Sequence, residues 1–260
     1  MNAAATELGG LLSLAIEFAR EAGAVTLQHF GSVMASDTKG DGTPVTEADR
    51  AAERLLRDRI GRRFPDHGIL GEEFGEMNPG ARVRWILDPI DGTRSFVRGI
   101  PLYGVLIGIE IEGSPAVGVV HFPALGETVG AALGQGCFWN GRLTRVSNVR
   151  SLSEAAVLTT DPAELLEGPA AAGWERLVRE CSLARSWGDC YGHILVATGR
   201  AEIMVDPVLA PWDAAPFVPI LTEAGGQFTD LEGKAGFHGG SGVSTNGPLH
   251  DQVLALLRGS

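Results

Sequence analysis

A chain of 260 residues, 44% hydrophobic and only 7% aromatic, can bury one large aliphatic α/β core or two closely joined halves. Its net charge of −11, from 32 acids against 21 bases, excludes a surface built for nucleic acid or anionic membrane, although metal ions can reverse that sign locally. Three cysteines with no C-x-x-C pair exclude a disulfide framework and a structural zinc site, and 36 glycines without a fixed period exclude a helical bundle and collagen.

The N-terminal stretch lacks the basic region of a signal peptide. It reads as an amphipathic helix over about 10–30, with Leu12, Ala15, Ile16, Phe18, Ala22 and Val25 on helical spacing. No run is long enough to span a bilayer, so the expected location is the cytoplasm. Residues 37–46 read as a loop. Thr46-Glu47-Ala48-Asp49 matches a capping-box start, ahead of a helix striped by Leu55, Leu56 and Ile60. A short apolar step at 68–70 leads into Gly71-Glu72-Glu73. A strand is expected at 83–87, and two long strands at 103–111 and 116–122, joined by a turn at 112–115. Asn140-Gly141 signals a tight hairpin. The second half alternates, with strands at 155–160, 201–205 and 226–230 and helices at 171–182, 190–198 and 212–224. Antiparallel strands first and α/β units second predict a layered α/β sandwich.

The stretch W-I-L-D-P-I-D-G-T, residues 85–93, carries the chemistry. Pro89 biases Asp88 toward extended backbone, and Gly92 allows a tight turn that brings Asp91 to face the same point. The Ile90 carbonyl is left to point inward. Two carboxylates and a carbonyl converging at a strand end suit a hard cation such as Mg²⁺. Without one, like charges so close raise each other's pKa. Asp-Pro and Asp-Gly are also ordinary turn dipeptides, so a plain turn competes with the metal reading. Glu72 and Glu73 read equally as a solvated loop. Asp213, in Pro211-Trp212-Asp213, reads equally as a first-turn acid favoured by the helix dipole.

Taken together, G-E-E, W-I-L-D-P-I-D-G-T and W-D-x-A…E-A-G-G, with Lys39 and Val45-Thr46-Glu47-Ala48-Asp49 before them, resemble the inositol monophosphatase family over about residues 10–255. The resemblance implies a layered αβαβα sandwich of the inositol monophosphatase / fructose-1,6-bisphosphatase type. One domain of 1–260 would have two halves: 1–150 for metal binding and 151–260 for substrate specificity. It further implies a homodimer that hydrolyses a small phosphate monoester with two or three Mg²⁺, for which Mn²⁺ can substitute. Carried over by motif, Glu72, Asp88 and the Ile90 carbonyl would hold one ion, and Asp88, Asp91 and Asp213 a second. A third, weaker ion would sit near Glu72. Thr93, positioned by Asp49, would activate the attacking water. The N–H groups of Gly92 and Thr93 would receive phosphate oxygens. Asp49 fits the capping box equally well.

Specificity is expected in R-S-W-G-D-C-Y-G, residues 185–192. This version resembles the histidinol-phosphate phosphatases of that family. Asp189 and Asp206 would face a cationic leaving alcohol, Arg185 would orient Asp189, and Trp187 and Tyr191 could flank a ring. The alternatives are a helix cap for Asp189, a turn at Asp206-Pro207, and core or interface packing for Trp187. The competing activity is an inositol-1-phosphate phosphatase or a broad sugar or nucleotide phosphate phosphatase. A non-catalytic relative would have lost a metal carboxylate, and none is missing. A glycosidase does not explain why the acids gather around a D-P-I-D-G-T turn.

Overall fold

The computed structural model of the protein describes residues 3–31, 37–38 and 44–259, and the side chains of 5–31 and 46–259. Helix α1 (Ala3–Leu27) is followed by a two-strand ribbon, β1 (Asp37–Thr38) and β2 (Pro44–Val45), inside the expected loop, and then by α2 (Glu47–Arg63). An eight-stranded sheet follows, formed by β3 (Gly68–Gly71), β4 (Gly75–Met77), β5 (Val83–Asp91), β6 (Gly104–Ile111), β7 (Ser114–Phe122), β8 (Glu127–Ala132), β9 (Gly136–Trp139) and β10 (Arg142–Thr144). The one-turn helix α3 (Thr93–Phe96) sits between β5 and β6. The order is β10-β9-β8-β7-β6-β5-β3-β4, antiparallel throughout except for β3 beside β5. At the β9–β10 turn Asn140 (φ 48°) and Gly141 (φ 76°) are both left-handed, the geometry that the Asn-Gly pair signals.

The second sheet is smaller. Its strands are β11 (Ala156–Leu158), β12 (Leu183–Arg185), β13 (Ile203–Asp206), β14 (Gln227–Thr229) and β15 (Gly242–Thr245), in the order β12-β11-β13-β15-β14. The helices of this half are α4 (Pro162–Glu167), α5 (Ala171–Glu180), α6 (Asp189–Ala197), α7 (Pro211–Ala214), α8 (Phe217–Ala224) and α9 (His250–Leu257).

Side-chain alternation sorts the layers. On β5, Trp85 and Leu87 face α1 and α2, while Ile86 faces the opposite way, into a core shared with α6, α8 and the second sheet. The far face of the second sheet packs through Val157, Ile203 and Val205 on Leu165, Trp174, Leu177 and Val253 of α4, α5 and α9. The result is the αβαβα sandwich expected from the sequence.

Three local readings change. The expected helix at 212–224 is two helices, because Pro216 has no N–H and its ring clashes with a carbonyl one turn earlier. The strand expected at 83–87 runs on to Asp91. The glycine-rich region after 230, read as turns, contains β15, which is fully buried between β13 and β14. The strands β8 and β12 and the helices α4 and α9 were not anticipated.

The break at Pro216 rests on two glycines that face the middle layer. A Cβ on Gly108 would lie 2.7 Å from that of Ala215, and a Cβ on Gly118 would overlap the Pro216 carbonyl. Gly118→Ala is therefore expected to cost about 2–3 kcal/mol through overpacking. Gly61→Ala, in α2 with open space around it, should instead stabilise by up to about 1 kcal/mol. Chemical denaturation of the two variants checks both signs.

Candidate active site

Two aspartates three residues apart on a regular strand point to opposite faces. Here the pairing of β5 with β6 slips: Asp88 lies opposite Leu106, yet Asp91 lies opposite Gly104. Three steps on β5 therefore match two on β6. The extra residue reverses the phase of the strand and returns Asp91 to the side of Asp88. Gly92 (φ 81°) then ends the strand and opens α3, and the Thr93 hydroxyl donates to the Ile90 carbonyl at 3.0 Å.

Asp213 arrives from the second half on the first turn of α7. Its carboxylate and those of Asp88 and Asp91 present oxygens that all lie within 4.8 Å of one another. A main-chain amide holds one oxygen of each. Ile90 N donates to Asp88 Oδ1 (2.9 Å), Cys190 N to Asp91 Oδ2 (2.6 Å) and Ala210 N to Asp213 Oδ2 (2.8 Å). The cluster lines a pocket of about 270 Å³, which Glu72, Thr93 and Asp189 also line.

The charges are severely frustrated. Asp88 is 2% exposed, and burial first, then the charges of Glu72, Asp91 and Asp213, push its carboxyl well above the usual carboxylate range. Burial, with Asp189 and Asp213 beside it, does the same to Asp91. Burial, opposed by the Ala210 amide, leaves Asp213 at about 7. Asp189 rises to about 6 through burial and the nearby Asp206. An all-oxygen donor set with this excess of negative charge fits a hard divalent cation and does not fit a thiolate-loving metal.

Of the residues singled out from sequence, Glu72, Asp88, Ile90, Asp91, Gly92, Thr93, Asp189 and Asp213 line this pocket. Glu72 stands outside the tight group of three, although its charge acts on both Asp88 and Asp213. Asp49 is buried at the start of α2, where its Oδ2 accepts from Thr46 N (2.8 Å) and Thr46 Oγ1 (2.6 Å), closing the expected capping box. Asp189 does not cap α6. Gly188 occupies the N-cap without a side-chain bond, and Asp189 is the first helical residue.

Two expected residues lie elsewhere. Asp206 does not line the pocket, because both its oxygens are taken up by Thr160 and His193 inside the second sheet. Arg185 is exposed on β12 and donates to the Ala184 carbonyl. The arginine whose charge acts on Asp189 is Arg94, which follows Thr93 and lines the pocket. Tyr191 packs edge-on against Phe122 at 5.2 Å, Trp187 is 41% exposed, and the aromatic that lines the pocket is Trp212. Lys39 lies outside the described residues.

The sequence reading also passed over Glu53. It sits one turn after Asp49 on α2, fully buried and paired with Arg57 at 2.7 Å. It accepts from the amides of Glu73 (2.7 Å) and Phe74 (3.2 Å) and so clamps the turn that carries Glu72. Its i+4 spacing from Asp49, on the same helix face, was the available signal.

The model of the inositol monophosphatase family matches residues 8–260. A histidinol-phosphatase of Chlorobaculum parvum is 47% identical over 248 residues, covering 95% of this chain and 96% of that one. A histidinol-phosphatase of Mycobacterium tuberculosis is 41% identical over 261 residues, covering 95% and 97%. Among solved structures, the Thermotoga maritima IMPase superposes with a TM-score of 0.88 at 33% identity, covering 96% of this chain and 97% of that one.

The raised carboxyls set a pH dependence. In the metal-free protein, Asp189 at about 6 and Asp213 at about 7 keep protons that the unfolded chain, near 3.8, has released. Stability is then full below pH 4 on this account and falls as pH rises through 6 and 7. Thermal melts in chelator should show Tm dropping from pH 5 to pH 8, and a divalent cation should raise Tm more at pH 8 than at pH 5. A metal-free Tm that rises over this range would contradict the electrostatic account.

Proposed function

The chain belongs to the inositol monophosphatase family and is a phosphatase, and from that premise we propose that it hydrolyses L-histidinol phosphate to L-histidinol and phosphate in a Mg²⁺-dependent reaction, in histidine biosynthesis. The observation that carries the substrate reading is Asp189. It is a carboxylate in the same pocket as the three-acid cluster but outside that cluster, and it complements the ammonium and the titratable imidazole of histidinol. The two histidinol-phosphatase relatives support the same reading.

Glu72, Asp88, the Ile90 carbonyl, Asp91 and Asp213 would hold two or three Mg²⁺, with Mn²⁺ able to replace it. Such ions supply cancellation of the phosphate dianion's charge and a bound water of lowered pKa. The residues of the chain do the rest. The Thr93 hydroxyl gives its hydrogen to the Ile90 carbonyl, and its free lone pair would orient the attacking water. The amides of Gly92 and Thr93 receive phosphate oxygens. Asp189 holds the cationic end of the leaving alcohol. In this reading the half 1–150 supplies Glu72, Asp88 and Asp91, and the half 151–260 supplies Asp213 and the specificity residues. The protein works as a cytoplasmic homodimer; among the described residues no helix is long and apolar enough to cross a membrane.

The second reading is an inositol-1-phosphate or broad sugar-phosphate phosphatase, favoured by the likeness to the Thermotoga maritima IMPase. A substrate panel at millimolar Mg²⁺ separates the two. Histidinol phosphate is expected to be the fastest ester, with release of phosphate abolished by chelator and restored by Mg²⁺. Asp189→Asn should lower kcat/KM for histidinol phosphate at least ~10-fold more than for inositol-1-phosphate, the loss of one charged hydrogen-bond partner. A panel in which histidinol phosphate ranks among the poorest substrates sinks the proposal. Asp213→Asn should lower turnover of every ester by about 10²-fold or more.

A further inference from the structure

A line of hydrogen bonds runs from the interior of the second half to Asp189. His193 is 0% exposed, with its ring stacked on Phe217 at 4.2 Å. Its Nδ1 lies 2.7 Å from Ser244 Oγ and its Nε2 lies 3.2 Å from Asp206 Oδ2. Asp206, 2% exposed, accepts from Thr160 N (2.9 Å) and from Thr160 Oγ1 (3.0 Å). Thr160 Oγ1 in turn accepts the Asp189 amide at 2.8 Å.

The direction of each bond follows from the donor inventory. The Asp206 carboxylate accepts, so His193 turns its Nε2–H toward it, and its Nδ1 shares a hydrogen bond with the Ser244 hydroxyl. A threonine hydroxyl has one hydrogen. Thr160 gives it to Asp206, and a lone pair is thereby aimed at Asp189 N–H. Asp189 is in turn held where a side-chain-bearing residue is strained, at φ 51°. There is no slack at this junction: a Cβ on Gly188 would overlap Thr160, and one on Gly92 would come within 3.1 Å of Asp189 Oδ2.

We propose that Thr160 is a specificity-positioning residue: its hydroxyl, oriented by Asp206 and His193, locks the Asp189 backbone so that the Asp189 carboxylate faces the cationic part of the substrate. Asp206, at the position expected to touch substrate, then acts through Thr160. The proposal rests on the reading of Asp189 as the cation-binding group.

Thr160→Val keeps the shape and removes the hydroxyl, and Thr160→Ser keeps the hydroxyl. Steady-state kinetics on histidinol phosphate and on uncharged glycerol 2-phosphate, with Tm recorded for each variant, test the proposal. Thr160→Val should lower kcat/KM for histidinol phosphate about 10-fold more than for glycerol 2-phosphate, mainly through KM. Thr160→Ser should recover most of that difference. In Asp189→Asn the valine substitution should add no further discrimination. Hydrogen exchange at the Asp189 amide should speed up in Thr160→Val and return in Thr160→Ser. If Asp189→Asn discriminates between the two esters and Thr160→Val does not, or if its effect adds in full to that of Asp189→Asn, the role of Thr160 is overturned and that of Asp189 stands. If Asp189→Asn itself fails to discriminate, the cation-binding reading falls, and this one with it.

Discussion

The rest of the structure is organised around one unfavourable arrangement: three carboxylates packed within 4.8 Å of one another in a poorly solvated pocket. At such a separation two like charges repel by several kcal/mol even with substantial screening. The protein tolerates this by giving each aspartate a main-chain hydrogen bond from a different source. Asp88 takes its amide from its own turn, Asp91 from the start of α6 and Asp213 from the residue before α7. These bonds orient the side chains without neutralising them. The pocket therefore remains a receptor for positive charge on a protein that carries −11 overall.

The same arrangement accounts for irregularities that would otherwise look like defects. The bulge in β5 exists because a regular strand would aim Asp88 and Asp91 apart. The helix that begins at Pro211 stops after one turn, which lets Asp213 point into the pocket from a short, capped segment while α8 starts afresh in the middle layer. The left-handed residue Asp189 places one more acid beside the cluster at the cost of local strain. Glu53 and Arg57 brace the turn that brings Glu72 to the same place. A buried ion pair of this kind contributes little net stability, but it restricts geometry well.

The elements that could be read in advance were those whose cause is local. The Thr46–Asp49 capping box, the Asn140-Gly141 turn and the long apolar runs of β6 and β7 depend on neighbours in sequence, and they appear where their residues predict. What could not be read depends on distant packing. β15 is a strand because β13 and β14 flank it, although Gly239-Gly240-Ser241-Gly242 has the composition of a turn. The split at 215–216, by contrast, has a local cause that was available in advance, the missing N–H of Pro216. In the pocket, the residues of the long motif converge as their pattern implied. Asp206 and Arg185 were placed by analogy of position, and position along the chain does not reveal which way a strand-end side chain turns. His193 decides that for Asp206, and nothing in the spacing of the histidines pointed to it.

Gly108 and Gly118 carry a last consequence. Where they meet Ala215 and Pro216, one polypeptide backbone sits directly on another, with no flexible side chain in between. Gly108 pairs with Ile86 of the strand that bears Asp88, so the contact holds that strand's neighbour against the start of α8, just past the helix that bears Asp213, like one jaw of a rigid caliper. Ordinary hydrophobic exchange elsewhere in the interior can proceed without changing that contact. Side chains around Asp189 can therefore vary without disturbing the spacing of the three acids.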